Sequence, residues 1–206
     1  MRIIGIVFFL CFCGMVSHAQ KNPIKYEEFE TATAAFIRKP TQFPARTTTV
    51  EDSLVGGKLI VTKTIVFEGT PAETSRLLIT ERGKPDIERI ELDGFEYSRS
   101  GDGEWEKSPW SFHHPLTESL LITMGSEKYW KESIDIESKK ITIYGTSVVT
   151  GKAGKNLRIE EYYFSADKSL IKTVTTDMTA ETGMILRRVS RTNVSIPQPK
   201  IEVPIK

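Results

Sequence analysis

Between residues 58 and 194 the chain returns again and again to short runs of Ile, Val, Thr and aromatic residues, cut by Gly- and Asp-containing breaks. No other feature limits the fold as much. Segments 58–68 (KLIVTKTIVFE), 74–82, 86–92, 95–100, 140–150 (KITIYGTSVVT), 156–164 (NLRIEEYYF), 170–178 and 184–194 read as strands. Gly56-Gly57, Gly83, Asp93-Gly94, Gly101-Asp102-Gly103 and Ser165-Ala166-Asp167-Lys168 supply turn chemistry between or beside them. Strands at this spacing, joined by tight turns, predict an antiparallel meander.

Two stretches depart from that rhythm. Near the start, Tyr26, Phe29, Thr33, Phe36 and Ile37 recur at three- and four-residue spacing, opposite Glu27, Glu28 and Glu30. This predicts an amphipathic helix of about four turns, with Pro23 in its first turn and Pro40 as its stop. In the middle, Leu116, Leu120, Leu121 and Met124 follow Pro115 at helical spacing, and residues 127–131 extend the pattern by a turn. A helical insertion is expected over residues 116–130, with Leu120, Leu121 and Trp130 facing a sheet. The expected class is α+β and mainly β, with one sheet carrying helices on one face. Several strands are apolar on both faces. Simple alternation along residues 58–68 puts Leu59, Val61, Ile65 and Phe67 on one side, with Ile60 and Val66 on the other. Either that sheet has an ordinary filled core, or it curls around an apolar space. Trp105, Trp110 and Trp130 gather around the insertion, where aromatics line a pocket mouth or pack a lid.

The N-terminus has the order of a secretory leader: Arg2, an uncharged apolar run from Ile3 to Val16, then Ser17-His18-Ala19. Cleavage is expected after Ala19, leaving residues 20–206 as a single domain with an extended, proline-punctuated tail from Ile196. Crossing a bilayer takes about 20 apolar residues, more than this run provides. Both cysteines, Cys11 and Cys13, lie inside the run. Bulky Leu10 and Phe12 precede them, which argues against lipid anchoring at either thiol. The mature chain is then free of disulfides, thiolate metal ligands and thiol nucleophiles, and a periplasmic or secreted location follows. One of the 28 basic residues, Arg2, goes with the leader, so the remainder equals the 27 acidic residues in number. With charges scattered rather than blocked, nothing points to nucleic acid or to an anionic membrane surface.

Catalytic constellations are absent from the pattern. His113-His114 are neighbours, which point apart on a strand and rarely share a metal. Gly125-Ser126 lacks the second glycine of a nucleophile elbow. Carboxylates such as Glu88, Glu91, Asp93, Glu160 and Glu161 are plentiful but read as solvated faces rather than as a facing pair. No catalytic residue, metal or cofactor is assigned, and a hydrolase without a recognisable motif is the enzymatic alternative. Asn193-Val194-Ser195 is a glycosylation sequon.

Three stretches carry a resemblance: Ile90-Glu91-Leu92-Asp93-Gly94-Phe95-Glu96-Tyr97 with Gly103-Glu104-Trp105-Glu106-Lys107 behind it, the run from Glu161 to Lys172, and the closing run from Ile196 to Ile205. In order and wording they resemble the half-barrel superfamily of periplasmic lipoprotein carriers, comprising the LolA and LolB types, RseB and the LppX-like proteins. That resemblance implies an N-terminal helix and one curled antiparallel sheet around a greasy concavity closed by helices. It also implies a non-enzymatic carrier or sensor for a lipid, an acyl chain or a lipidated protein. The apolar residues that would line such a concavity and its lid are Leu59, Val61, Ile65, Phe67, Leu77, Ile79, Trp105, Trp110, Leu120, Leu121 and Trp130. The alternative partner is an envelope protein, bound by the same sheet without a small ligand.

Overall fold

The computed structural model describes residues 21–37, 45–71, 74–110, 128–136, 139–150, 154–202 and 204, the side chains of 35–37 excepted. The expected leader, His113-His114, and Leu120 and Leu121 of the expected insertion lie outside the described residues. A two-residue strand β1 (Asn22–Pro23) precedes helix α1 (Tyr26–Ile37). Then follow β2 (Ala45–Val55), β3 (Lys58–Gly69), β4 (Ser75–Glu81), β5 (Ile87–Leu92), β6 (Phe95–Ser100) and β7 (Glu106–Pro109). The second series is β8 (Lys128–Ile136), β9 (Lys139–Thr150), β10 (Asn156–Phe164), β11 (Leu170–Thr179) and β12 (Ile185–Ser195). All twelve form one antiparallel sheet in the order β1-β8-β9-β10-β11-β12-β2-β3-β4-β5-β6-β7. Its two ends do not meet, so the sheet is a curled half-barrel and not a closed barrel. β12 pairs with β2, which joins the late meander to the early one.

The eight strands expected from composition are all present, but four more are needed to complete the sheet. β2 (ARTTTVEDSLV) has few bulky apolar residues, and its ladder is specified by β12 on one side and β3 on the other. The expected helical turn at residues 127–131 is instead the start of β8, because those residues pair with β9 from Lys128 onward. There Tyr129, Lys131 and Ser133 share one face, while Trp130, Glu132 and Ile134 share the other. Pro23 lies in β1 opposite Trp130, not in the helix, and α1 is about three turns long. A proline without a donor suits an edge strand. The tail beyond Ser195 forms no helix or strand among its described residues.

Directly paired residues in an antiparallel sheet share a face, so the registers define two surfaces. The helix face is fixed by α1, where Phe29 packs on Tyr129 and Tyr162 with ring centroids 5.1 and 5.9 Å away. One row on this face runs unbroken through ten strands: Lys131, Tyr144, Tyr162, Thr173, Arg191, Thr49, Ile65, Ile79, Ile87 and Ser100. Irregularities in the β2–β3, β10–β11 and β11–β12 ladders sharpen the local twist that curls such a sheet.

The β2–β3 irregularity also corrects the reading of β3. Glu51 pairs with Lys63 and Asp52 with Val61, which leaves Thr62 as an extra residue. Its hydroxyl lies 3.1 Å from that of Ser53, on the helix face. The extra residue shifts the alternation by one, so Leu59 and Val61 fall on the far face while Ile65 and Phe67 stay on the helix face. A period-two count along the strand cannot see an inserted residue.

Candidate functional site

The helix face has two apolar regions. Under α1, Phe29 is almost wholly buried with Tyr162 and Phe164, and Ile24, Tyr129, Tyr144 and Leu170 pack around them. Across the sheet, Ile65 pairs with Ile79, Phe67 with Leu77, and Ile79 with Ile87. These five are only half-buried, and no described helix lies over them. The structure thus brings four of the expected site residues, Ile65, Phe67, Leu77 and Ile79, into one ladder. Ile87 joins it from a segment whose acidic neighbours masked the alternation.

The other expected lining residues among those described are elsewhere. Trp130 is on the far face, where its indole fills the space above Gly145 and a Cβ on that glycine would sit 2.1 Å from Cε2. The ammonium of Lys21 stands 4.6 Å from that ring and 3.7 Å from the Glu161 carboxylate. The indole nitrogen of Trp130 is buried and takes no hydrogen-bond partner among the described residues. Trp105 lies beneath the guanidinium of Arg99, 4.8 Å from its ring, and Arg99 with Arg76 holds the buried Glu88 on the same far face. Trp110 follows β7 and is exposed. The sequon residue Asn193 is half-buried within β12 and accepts a hydrogen bond from Thr47, so it does not sit in an open loop.

Polar residues on the helix face follow an order of their own. Toward one end of the strands, Arg158 binds Asp177 through Nε–Oδ1 at 2.7 Å, and Arg187 binds both oxygens of Glu51 at 2.8 and 3.0 Å. The Arg187 hydrogen bonds, opposed by partial burial, hold Glu51 below the usual carboxylate range. One step nearer the helix, burial raises the pKa of Glu160, although the Tyr162 hydroxyl donates to it at 3.1 Å. The same burial, with Glu160 beside it, pushes the Tyr162 phenol well above its ordinary value. Beside α1, Pro23, Ile24, Lys25, Glu27 and Glu28 line a separate open depression. Among the described residues no group of three or more His, Cys, Asp or Glu is placed to hold a metal. No described helix is long and apolar enough to cross a membrane.

No protein-family model and no curated protein matches the sequence. Among solved structures the chain is similar to LprF from Mycobacterium bovis, at 10% identity and a TM-score of 0.48, covering 87% of this chain and 98% of that one. It is also similar to MucB in complex with MucA(peri), at 10% identity and a TM-score of 0.40, over 84% of this chain and 57% of that one. A third is a LolA superfamily protein from Nitrosomonas europaea, at 10% identity and a TM-score of 0.31, over 87% and 96%. At that identity no residue role is carried across.

Proposed function

We propose that this chain is a non-enzymatic carrier or sensor, working outside the cytoplasm, that holds an acyl chain or a lipidated partner on the helix face of its half-barrel. One observation carries the reading. The ladder of Ile65, Phe67, Leu77, Ile79 and Ile87 shares a face with α1 but sits beyond the helix, half-exposed, across three adjacent strands. A contiguous apolar surface of this kind is costly to leave in water, and it fits a ligand with no polar demands along its length. Each methylene buried there is worth about 0.8 kcal/mol, so a long chain binds without many directed contacts.

The alternative is a protein partner bound by the same sheet or through its edge, and the edge mode, an added strand, finds little purchase on the described edges. β1 has two residues and includes Pro23; β7 has four and ends at Pro109. Short, proline-bearing edges are how sheets resist strand addition. The test is organic extraction and mass spectrometry of protein purified from its native host, followed by titration of the delipidated protein with a fluorescent fatty acid. Co-purifying lipid and saturable uptake support the carrier. Protein free of lipid that also ignores the probe would leave the ladder as ordinary surface and sink the reading.

A further inference from the structure

Among the described residues, every half-buried cation of the helix face has an acidic partner except one; Arg89, on the same face in β5, is exposed. Lys131 reaches Glu28 at 3.5 Å, Arg158 binds Asp177 and Arg187 binds Glu51, while Lys63 stands across from Glu51 and Glu81 and acts on the former. Arg191, in the middle of β12, takes no hydrogen bond or ion pair among the described residues, although it is half-buried. The nearest acid on its face is Glu51, a diagonal step away, and both oxygens of that carboxylate are taken by Arg187. Directly beside Arg191 are two threonines, Thr173 on β11 and Thr49 on β2. Beyond Thr49 the same row continues as Ile65, Ile79 and Ile87. Beyond Thr173 it continues as Tyr162 and Tyr144.

We infer that Arg191 is the head-group anchor of this face, and that its ligand is a single-chain amphiphile ending in one carboxylate, a long-chain fatty acid. The inference rests on the carrier reading and names its ligand class. A half-buried guanidinium with no counter-ion is an unfavourable arrangement unless something else supplies the charge. The planar fork matches the two oxygens of a carboxylate, and the flanking hydroxyls of Thr49 and Thr173 offer further donors. At this end of the row a single spare positive charge matches a single negative one, since the half-buried cations around it, Lys131, Arg158 and Arg187, are already paired. From β12 to β5 the row crosses four inter-strand steps, about 19 Å, the reach of a long-chain fatty acid laid across the isoleucines. The chain therefore runs perpendicular to the strands, with its head at Arg191 and its tail toward Ile87.

The experiment compares palmitate with hexadecanol, which have the same chain length and differ in the charged head. Each is titrated against delipidated wild type, Arg191→Gln and Arg191→Lys by displacement of a fluorescent fatty-acid probe, with folding of the variants checked by thermal melting. Wild type should prefer palmitate by about tenfold or more, as a charge-assisted contact predicts. Arg191→Gln should lose that preference while keeping its affinity for hexadecanol, and Arg191→Lys should recover part of it. In wild type alone, the preference should shrink as salt rises toward about 1 M, which tests the anchor even if a variant does not fold. Equal binding of the two ligands by wild type, or a preference untouched by Arg191→Gln, overturns the anchor and leaves the carrier standing. Failure of wild type to bind either ligand overturns both.

Discussion

The two ends of the helix face have similar strands but different coverage. Under α1, Phe29 is 1% exposed, and Tyr162 and Phe164 are 4% and 6% exposed. Across β3–β5 an equally apolar set, Ile65, Phe67, Leu77, Ile79 and Ile87, stays half-exposed beyond the helix. The first region stabilises the fold because its aromatic rings are removed from water and packed edge to face. The second contributes less to stability per residue and leaves surface for another molecule. On the carrier reading, the end covered by the described helix is the structural core and the half-exposed end is the binding surface.

The largest effect that would sharpen this contrast is at Phe29. Phe29→Ala should cost about 3–4 kcal/mol, read as a fall in the urea midpoint, because the ring is wholly enclosed and little can collapse into its place. A loss below about 1 kcal/mol would mean that α1 is not the anchor of its half. Next comes the far face of the same half. Gly145→Ala should destabilise by about 1–3 kcal/mol, since the added methyl overlaps the Trp130 indole and the ring must move. Pairing it with Trp130→Leu should relieve most of that loss, and a strictly additive double mutant would show that the contact is not the cause. In the open region, Ile79→Ala should cost only about 1 kcal/mol, and the uptake of a fluorescent fatty acid should fall more clearly than the melting temperature. The reverse ranking would make the ladder core and the comparison void.

The smallest expected effect is electrostatic and differs in sign between two carboxyls of the helix face, Glu51 and Glu160. The folded pKa of Glu51 lies below its unfolded value, so its contribution is present above the unfolded pKa, about 4.3, and is lost as pH falls through the folded one. That of Glu160 lies above, so its contribution is present at low pH and is lost as pH rises through the raised value. Glu51→Gln should therefore flatten the acid limb of a stability profile by under about 1 kcal/mol, given how exposed the Arg187 side chain is. Glu160→Gln should leave that limb in place and raise stability at neutral pH. Identical profiles for the two variants would mean that these carboxyls do not sense different surroundings.

Much of the sheet was legible in the residues themselves. β3, β4, β5, β6 and β9–β12 carry their own β-branched runs and turn residues, and the spacing of Phe29 and Thr33 marks α1. β2 was not legible, because its threonines and acids lack a strong apolar alternation and acquire strand form from β12 and β3. β8 was misread as helix, since Lys128, Tyr129, Trp130 and Lys131 suit either period over so short a run. Of the proposed site, the ladder residues Ile65, Phe67, Leu77 and Ile79 stood out by apolarity. Arg191 did not, because one arginine in a charged strand looks solvated until its neighbours are known.

By itself the sequence determined that this chain forms an antiparallel sheet with a leading amphipathic helix, because local periodicity and turn chemistry act over a few residues. It also determined, since no cysteine follows Cys13, that no disulfide links the strands. Which residues share a face was decided only in the tertiary structure. The extra residue at Thr62 reversed the side of Leu59 and Val61, and the pairing of β12 with β2 set Arg191 between the aromatic core and the isoleucine ladder. A strand's side-chain period is two, so a single inserted residue or a pairing between distant segments redirects every side chain beyond it. That information lies in the registers between strands, not in any one of them.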